Sequence, residues 1–372
     1  MGIYQDFGLK QIINASGKMT ALGASAVHRD IAKALSEGSM DYVDMEELMV
    51  AAGKRIATAT CAEDGCPTSG AAAGISISVA AVIAGTNLTR IEGLPFSDGL
   101  RNEIVIQKGH LVHFNAPITQ MIALGGGKAV EVGQVNHVEK SHIVESITKQ
   151  TAALFYVKSH HTVQKGMQSL ETMIAVAREH QLPIIVDAAA EEDLHQYIAT
   201  GADLVIYSGG KAIGGPTSGF ICGRAPLIEA CRAQYQGIGR AMKVGKEAIA
   251  GLLTALQRYE NKEDSSKEQR ERMRWLLEQL KGVRGMEGRM VKDEAGREIY
   301  RAQLKIDPQV LGMDTYELIR QLESGNPAIF SRNHDANLGI IHIDPRPLLQ
   351  GQEELIVKRI REIVEEKDEP AI

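Results

Sequence analysis

Short apolar runs recur along the first two thirds of this chain, each separated from the next by a stretch with helical spacing. Residues 103–106 (EIVI), 128–132 (KAVEV), 152–157 (AALFYV), 183–186 (PIIV), 202–207 (ADLVIY) and 219–222 (GFIC) read as strands. Between and before them, residues 30–37, 46–60, 69–84, 117–123, 140–149, 169–180 and 191–200 read as helices. Two parallel strands need a crossover of about a dozen residues or more, and a helix is the usual one. The alternation therefore predicts an α/β fold: a large domain with a doubly wound, mainly parallel sheet. Past Gly245 the pattern changes. Helices are expected at 246–259, 267–281, 315–322 and 353–364, with strands at 302–306 and 338–343. This predicts a large domain over residues 1–250 and a small C-terminal α+β domain over 251–372.

Composition narrows the function classes. The chain has 372 residues, 44% of them hydrophobic, which is ample for a packed core and excludes global disorder. Lys and Arg number 41 against 47 Asp and Glu, a net charge of −6 that argues against gripping nucleic acid phosphates. No run of about 18 apolar residues is present, so no transmembrane helix is expected. The N-terminal MGIYQDFGLKQ lacks the pattern of a signal peptide, and a cytoplasmic location is expected. Cys61, Cys66, Cys222 and Cys231 show no metal-ligand spacing, and reduced thiols are the expectation; no metal is predicted.

Residues 183–223 carry the chemistry. The PIIV strand ends in Asp187, and the next strand, ADLVIY, runs into Ser208, Gly209, Gly210 and Lys211. A glycine-rich turn and another apolar strand follow. Open α/β sheets place reactive groups at the carboxyl ends of their parallel strands. A carboxylate there, with a lysine on the next loop, suits pyridoxal 5′-phosphate: the amine attaches the cofactor and the carboxylate keeps its pyridine nitrogen protonated. Ser208 is a candidate donor to the cofactor phosphate. Singly, Asp187 is better explained as a helix cap and Lys211 as a surface loop residue; their joint placement with the strands and glycines points to the cofactor.

Two further segments bear on this. Ser69, Gly70 and Ala71 precede a helix of small residues, whose free N–H groups and dipole make an anion site. No Walker motif is present, since no Ser or Thr follows Lys211. After the EIVI strand, His110 stands where a flat ring can stack on the pyridine. His160 and His161, after AALFYV, are candidates for lining the site or for acid–base work.

These pieces resemble the fold-type I, aspartate aminotransferase-like pyridoxal phosphate enzymes, and more closely the branch containing bacterial selenocysteine synthase (L-seryl-tRNA(Sec) selenium transferase). The matching segments are IINASG (12–17), SGAAA (69–73), KGHLV (108–112), EVGQVN (131–136), GKAIGGPTSG (210–219) and GRAMKVGK (239–246), with IDPR (343–346) a weaker extension. The resemblance implies that Lys211 carries the cofactor, that Asp187 partners its ring nitrogen, and that Ser69, Gly70 and Ala71 hold its phosphate. A similar run in serine hydroxymethyltransferase implies the stacking role for His110. The chain departs from selenocysteine synthases at Gly210, where those enzymes are expected to carry an acidic residue, and at His110, where they carry glutamate. With the net charge, this disfavours a tRNA substrate.

The same branch holds ammonia-lyases that act on phosphorylated amino sugar acids. What this implies is α,β-elimination of water and ammonia from a hydroxy amino acid, in a homodimer or higher homo-oligomer. The substrate carboxylate calls for a planar cation, and Arg332 in NPAIFSR is the candidate. Arg240, Lys243, Lys246 and Arg55 are candidates for the distal phosphate. The alternatives are a selenocysteine synthase-like transferase, an aminotransferase acting on another amino acid, and, outside enzymes, an RNA-interaction protein on the same fold.

Overall fold

The computed structural model describes residues 2–159, 161–262, 266–293 and 298–368. In chain order the strands are β1 (Ile12–Ala15), β2 (Asp64–Thr68), β3 (Glu103–Gln107), β4 (Lys128–Val132), β5 (Thr151–Val157), β6 (Ile184–Asp187), β7 (Leu204–Ser208), β8 (Gly219–Gly223), β9 (Met286–Lys292), β10 (Tyr300–Ile306), β11 (Ala328–Ser331) and β12 (Ile340–Ile343). They fall into two compact units, Ala24–Lys262 and Met1–Gly23 with Glu263–Ile372.

In the larger unit a seven-stranded sheet runs in the order β2-β8-β7-β6-β5-β3-β4. From β7 to β4 every pairing is parallel, and β8 is antiparallel to both β7 and β2. Successive residues of a strand face opposite sides of the sheet, and the core divides accordingly. Leu154, Tyr156, Ile184, Val186, Val205 and Tyr207 join one buried cluster with Ile56, Met173 and Leu252, from helices Met45–Thr60, Leu170–Glu179 and Lys246–Glu260. Ala153, Phe155, Ile185, Leu204, Ile206 and Ile221 join the other with Ile75 and Val79 of helix Ala71–Ala84. The expected doubly wound, mainly parallel sheet is present.

The smaller unit pairs β1 with β11 in parallel and builds an antiparallel sheet in the order β12-β10-β9. Helices Ser266–Leu280, Thr315–Ser324 and Gln352–Asp368 supply Met273, Leu276, Leu318, Leu322, Ile356 and Ile360 to its core.

The units differ from the expected division at 250 in two respects, each with a physical cause. Helix Lys246–Glu260 packs on helix Arg29–Met40 through small residues: a Cβ on Gly38 would meet the Ala250 Cβ at 3.0 Å, and one on Gly251 would meet Leu35 Cγ at 2.9 Å. The first 23 residues group with the C-terminal part because β1 finds its hydrogen-bonding partner in β11.

Candidate active site

Asp187 ends β6 in the middle of the large sheet, between Val157 of β5 and Ile206 of β7. Its residue is only 7% exposed, and its Oδ1 accepts a hydrogen bond from the Ala189 N–H at 3.1 Å. Burial pushes this carboxyl up to about 6, against the positive charge of Lys211 and the Ala189 hydrogen bond, which both pull it down.

Lys211 lies half-buried in the turn after β7. Close main-chain contacts hold this turn: the Gly209 N–H donates to Ser218 O at 2.8 Å, the Gly215 N–H to Gly209 O at 2.7 Å, and the Ser25 hydroxyl to Gly210 O at 2.9 Å. A Cβ on Gly209 would stand 2.2 Å from Ser218 Oγ, so the turn needs glycine there.

Thr68 of β2 and Ser208 of β7 both pair with Gly219 of β8, which places all three on one edge of the sheet. From that edge helix Ala71–Ala84 starts, with Gly70 as its N-cap and no side chain capping it. A Cβ on Gly70 would meet nothing within 4 Å, so the space before the helix is open. A Cβ on Gly219 would stand 2.8 Å from the Ala71 nitrogen, so the strand passes directly beneath the first turn. Ser69 Oγ donates to Met242 O at 2.9 Å and ties this turn to the short helix Ile238–Met242, on which Arg240 is exposed. Free N–H groups, an open approach and a neighbouring buried carboxylate with a lysine fit pyridoxal phosphate.

His110 departs from expectation. It lies in the short turn Lys108–His110 after β3, is fully enclosed, and meets the Tyr156 ring edge-on with centroids 4.6 Å apart. Its Nδ1 accepts the Val157 N–H at 3.3 Å, and its buried Nε2 has no hydrogen-bond partner. Burial, with Lys158 nearby, lowers it to about 4, which keeps the ring neutral. A ring closed on all sides has no free face, so stacking on the cofactor is not the role this arrangement gives His110. It braces the end of β5 beside Asp187, whose carbonyl accepts the Lys158 N–H at 2.8 Å.

The remaining candidates separate. His161 is exposed on the loop after β5, where its N–H donates to Ser159 Oγ at 3.2 Å; His160 lies outside the described residues. Lys243 is exposed two residues before Gly245, the N-cap of helix Lys246–Glu260. Arg55 is committed to Glu260, with Nη1 donating to Oε1 at 3.0 Å. Lys246 Nζ donates to the carbonyls of Gly38, Ser39 and Asp41 and closes the end of helix Arg29–Met40. Neither Arg55 nor Lys246 is left for a phosphate.

In the smaller unit, Arg332 follows β11, half-buried, and exchanges both main-chain hydrogen bonds with His342, at 2.9 and 3.0 Å. Burial, with Arg301 and Arg346 nearby, lowers the pKa of its guanidinium, while Asp344 and Asp293 pull the other way. The ion network in the same unit, Asp293–Arg301–Asp344–Arg346, is not legible in the sequence as a unit. The only sequence signal was the IDPR segment, which contains Asp344 and Arg346.

The sheet topology, with a lysine turn and a buried carboxylate at its carboxyl edge, is that of the fold-type I pyridoxal phosphate-dependent enzymes. The chain belongs to the family described as L-seryl-tRNA selenium transferase, whose profile matches residues 12–311. It is 44% identical to the D-glucosaminate-6-phosphate ammonia lyase of Salmonella typhimurium over 363 residues, 98% of each chain. It is 46% identical to a 5'-C-glycyluridine monooxygenase-decarboxylase of a Streptomyces species over 365 residues, 97% of this chain and 92% of that one. A solved structure of D-glucosaminate-6-phosphate ammonia-lyase superposes with a TM-score of 0.95 at 43% identity, covering 99% of this chain and 100% of that one.

Proposed function

We propose that this chain is a pyridoxal 5′-phosphate-dependent ammonia-lyase that converts D-glucosaminate 6-phosphate to 2-keto-3-deoxy-6-phosphogluconate and ammonia. The observation that carries this reading is the superposition on the lyase structure over the full chain, TM-score 0.95. The site geometry supports it.

Ser69, Gly70 and Ala71 hold the cofactor phosphate through the first turn of their helix, with the Ser208 hydroxyl on the same sheet edge. Asp187 would partner the ring nitrogen and keep it protonated. When bound, the cofactor supplies an electron sink for the pair left on the substrate Cα. Lys211 would hold the cofactor, and its Nζ would take the Cα proton of the substrate. Loss of hydroxide from Cβ, assisted by a proton from Lys211 or His161, gives an enamine. That product tautomerises and takes up water to release ammonia, so water lost in one step returns in the other. Arg332 holds the substrate carboxylate by a planar two-point contact, and Arg240 holds the distal phosphate.

The chain works as at least a homodimer in this reading. Met40, Tyr42, Val43 and Met45 form a run of exposed apolar side chains between two helices of the larger unit, with Tyr42 at 102% exposure. The compartment is the cytoplasm, consistent with cysteines that are all free thiols, three of them buried. No helix among the described residues is long and apolar enough to cross a membrane. No nucleic acid partner is proposed, in line with the net charge of −6.

One test is ammonia release from D-glucosaminate 6-phosphate without oxygen, with Lys211→Ala as the paired control. Anaerobic ammonia release by the wild type, absent in the variant, is the expected result. The likeness to the Streptomyces enzyme favours a second reading, an oxygen-consuming decarboxylation. Turnover that needs oxygen and yields carbon dioxide selects that reading instead.

A further inference from the structure

Strand β9 ends the small antiparallel sheet. It pairs with β10 on one side, from Met286 against Ile306 to Lys292 against Tyr300, and among the described residues no strand lies on the other. The opposite end of the sheet is covered, because His342 of β12 bridges to Arg332 beyond it. An open edge carries main-chain N–H and C=O groups without partners and templates a further strand. Side chains alternate in direction along β9. Glu287 and Arg289 stand exposed on one face, and Arg289 uses one of its five N–H donors on Gln303 Oε1. Met286, Gly288 and Met290 lie on the other face, towards helix Ser266–Leu280: a Cβ on Gly288 would meet Leu277 Cδ2 at 2.7 Å. Beside them a groove of about 580 Å³ opens between strand and helix, lined by Leu277, Leu280, Met286 and Met290, with Arg274 and Glu278 also at its wall.

We propose that β9 is an interface between two copies of this chain, paired antiparallel about a two-fold axis through Gly288. A two-fold contact sets a strand against itself, and each pair of residues occurs twice. With Gly288 on the axis, Glu287 stands opposite the partner's Arg289, and Met286 opposite the partner's Met290. Opposite charges facing each other across strands are stabilising, and like charges are destabilising. Moving the axis one residue either way sets Glu287 or Arg289 against its own copy, so charge selects the Gly288 register. The ladder by itself is small against the ~1,200 Å² of a stable interface. The methionine pairs lie on the groove side of the strand and add apolar area there, and methionine adapts readily to irregular gaps. Two sheets of three strands then become one of six. This contact lies in the smaller unit, separate from the exposed apolar run at 40–45 in the larger one. With both surfaces engaged, the chain assembles beyond a dimer.

The test reads the mass of the cofactor-loaded full chain by light scattering, for the wild type, Arg289→Glu, Glu287→Arg and an equimolar mixture of the two variants. Each variant alone sets like charges opposite each other across the axis, and its assembly mass should fall at least about twofold. In the mixture the two variants face each other with opposite charges at both pairs, and the mass should return to the wild-type value. Thermal unfolding of each variant checks that it is folded. A monomeric wild type, variants that keep the wild-type mass, or a mixture that stays dissociated overturns the inference. Should a variant fail to fold, amide hydrogen exchange across residues 286–290 of the wild type decides. Protection of about tenfold or more at the N–H groups on the open edge supports the contact, and exchange at the rate of an exposed loop refutes it.

Discussion

Gly219 and Ala71 approach so closely that a Cβ on Gly219 would stand 2.8 Å from the Ala71 nitrogen, and 2.7 Å from the Gly70 carbonyl carbon. The neighbours are backbone atoms with no side chain to swing aside. Strand β8 and the start of helix Ala71–Ala84 thus set each other's position, and with it the direction of the free N–H groups. Gly219→Ala should displace that turn, weaken pyridoxal phosphate binding about tenfold or more, and destabilise the fold by about 1–3 kcal/mol. Cofactor titration by absorbance, alongside thermal unfolding of the cofactor-free protein, checks both; an unaltered cofactor affinity would show that the cradle lies elsewhere.

Asp187 makes stability depend on pH. Its folded value, about 6, lies above the unfolded value of about 3.9, so folding favours the protonated form. At low pH the group is neutral in both states and costs nothing. As pH rises from about 4 through 6, the unfolded chain loses this proton first, and the folded state loses relative stability until both are ionised. A carboxyl raised this far corresponds to about 3 kcal/mol. The cofactor-free wild type should therefore lose about 2–3 kcal/mol more than Asp187→Asn between pH 4 and pH 7. Urea unfolding midpoints across that range provide the measurement, and parallel curves would count against a carboxylate raised by burial.

The brace made by His110 and Val157 separates two roles for one ring. Phenylalanine keeps an aromatic face and loses the acceptor for the Val157 N–H. An unpaired buried N–H costs about 1–3 kcal/mol. His110→Phe should lower thermal stability by about that amount. His110→Asn, which keeps an acceptor, should lose less. If the Phe variant is as stable as the wild type while the Asn variant loses cofactor, stacking is restored as the role of this ring.

Lys246 and Arg240, both on the GRAMKVGK segment, should behave oppositely. Lys246→Met removes a cation that closes the carbonyl end of helix Arg29–Met40 and should cost about 1–2 kcal/mol with little change in KM. Arg240→Gln, on an exposed residue next to the Ser69–Met242 contact, should raise KM for a phosphorylated substrate with stability within about 0.5 kcal/mol. Steady-state kinetics and unfolding curves on the two variants give the comparison, and a KM effect in Lys246→Met alone would reverse the assignment.

Most of the strands legible in the sequence are buried on both faces, although β4, β10 and β12 are legible too. β3, β5, β6, β7 and β8 are short, apolar and bounded by polar residues or glycine, which is how a central strand of a parallel sheet must look. Strand β2, with the sequence DGCPT, carries no such signal. It is an edge strand where Pro67 is tolerated, and pairing with β8 alone makes it a strand. β1 and β11 are similar: each is four residues long and the two are far apart in the chain, so only their mutual hydrogen bonds define them. β9 is largely exposed, and its pattern is correspondingly faint.

The active-site candidates divide along the same line. Asp187 and Lys211 are readable because their environment is local: a strand end and the glycine turn after the next strand, both set by short-range pattern. Whether a given cation is free to meet a ligand depends instead on which partners the fold delivers to it. Arg55 finds Glu260, Lys246 finds the carbonyls of a distant helix end, and His110 is sealed against Tyr156. Arg301 finds Asp293 and Asp344. Periodicity along the chain thus specifies the sheet and the edge where the chemistry sits. The availability of each charged group there is a long-range property of packing, because burial and counter-ions come from segments far away in the chain.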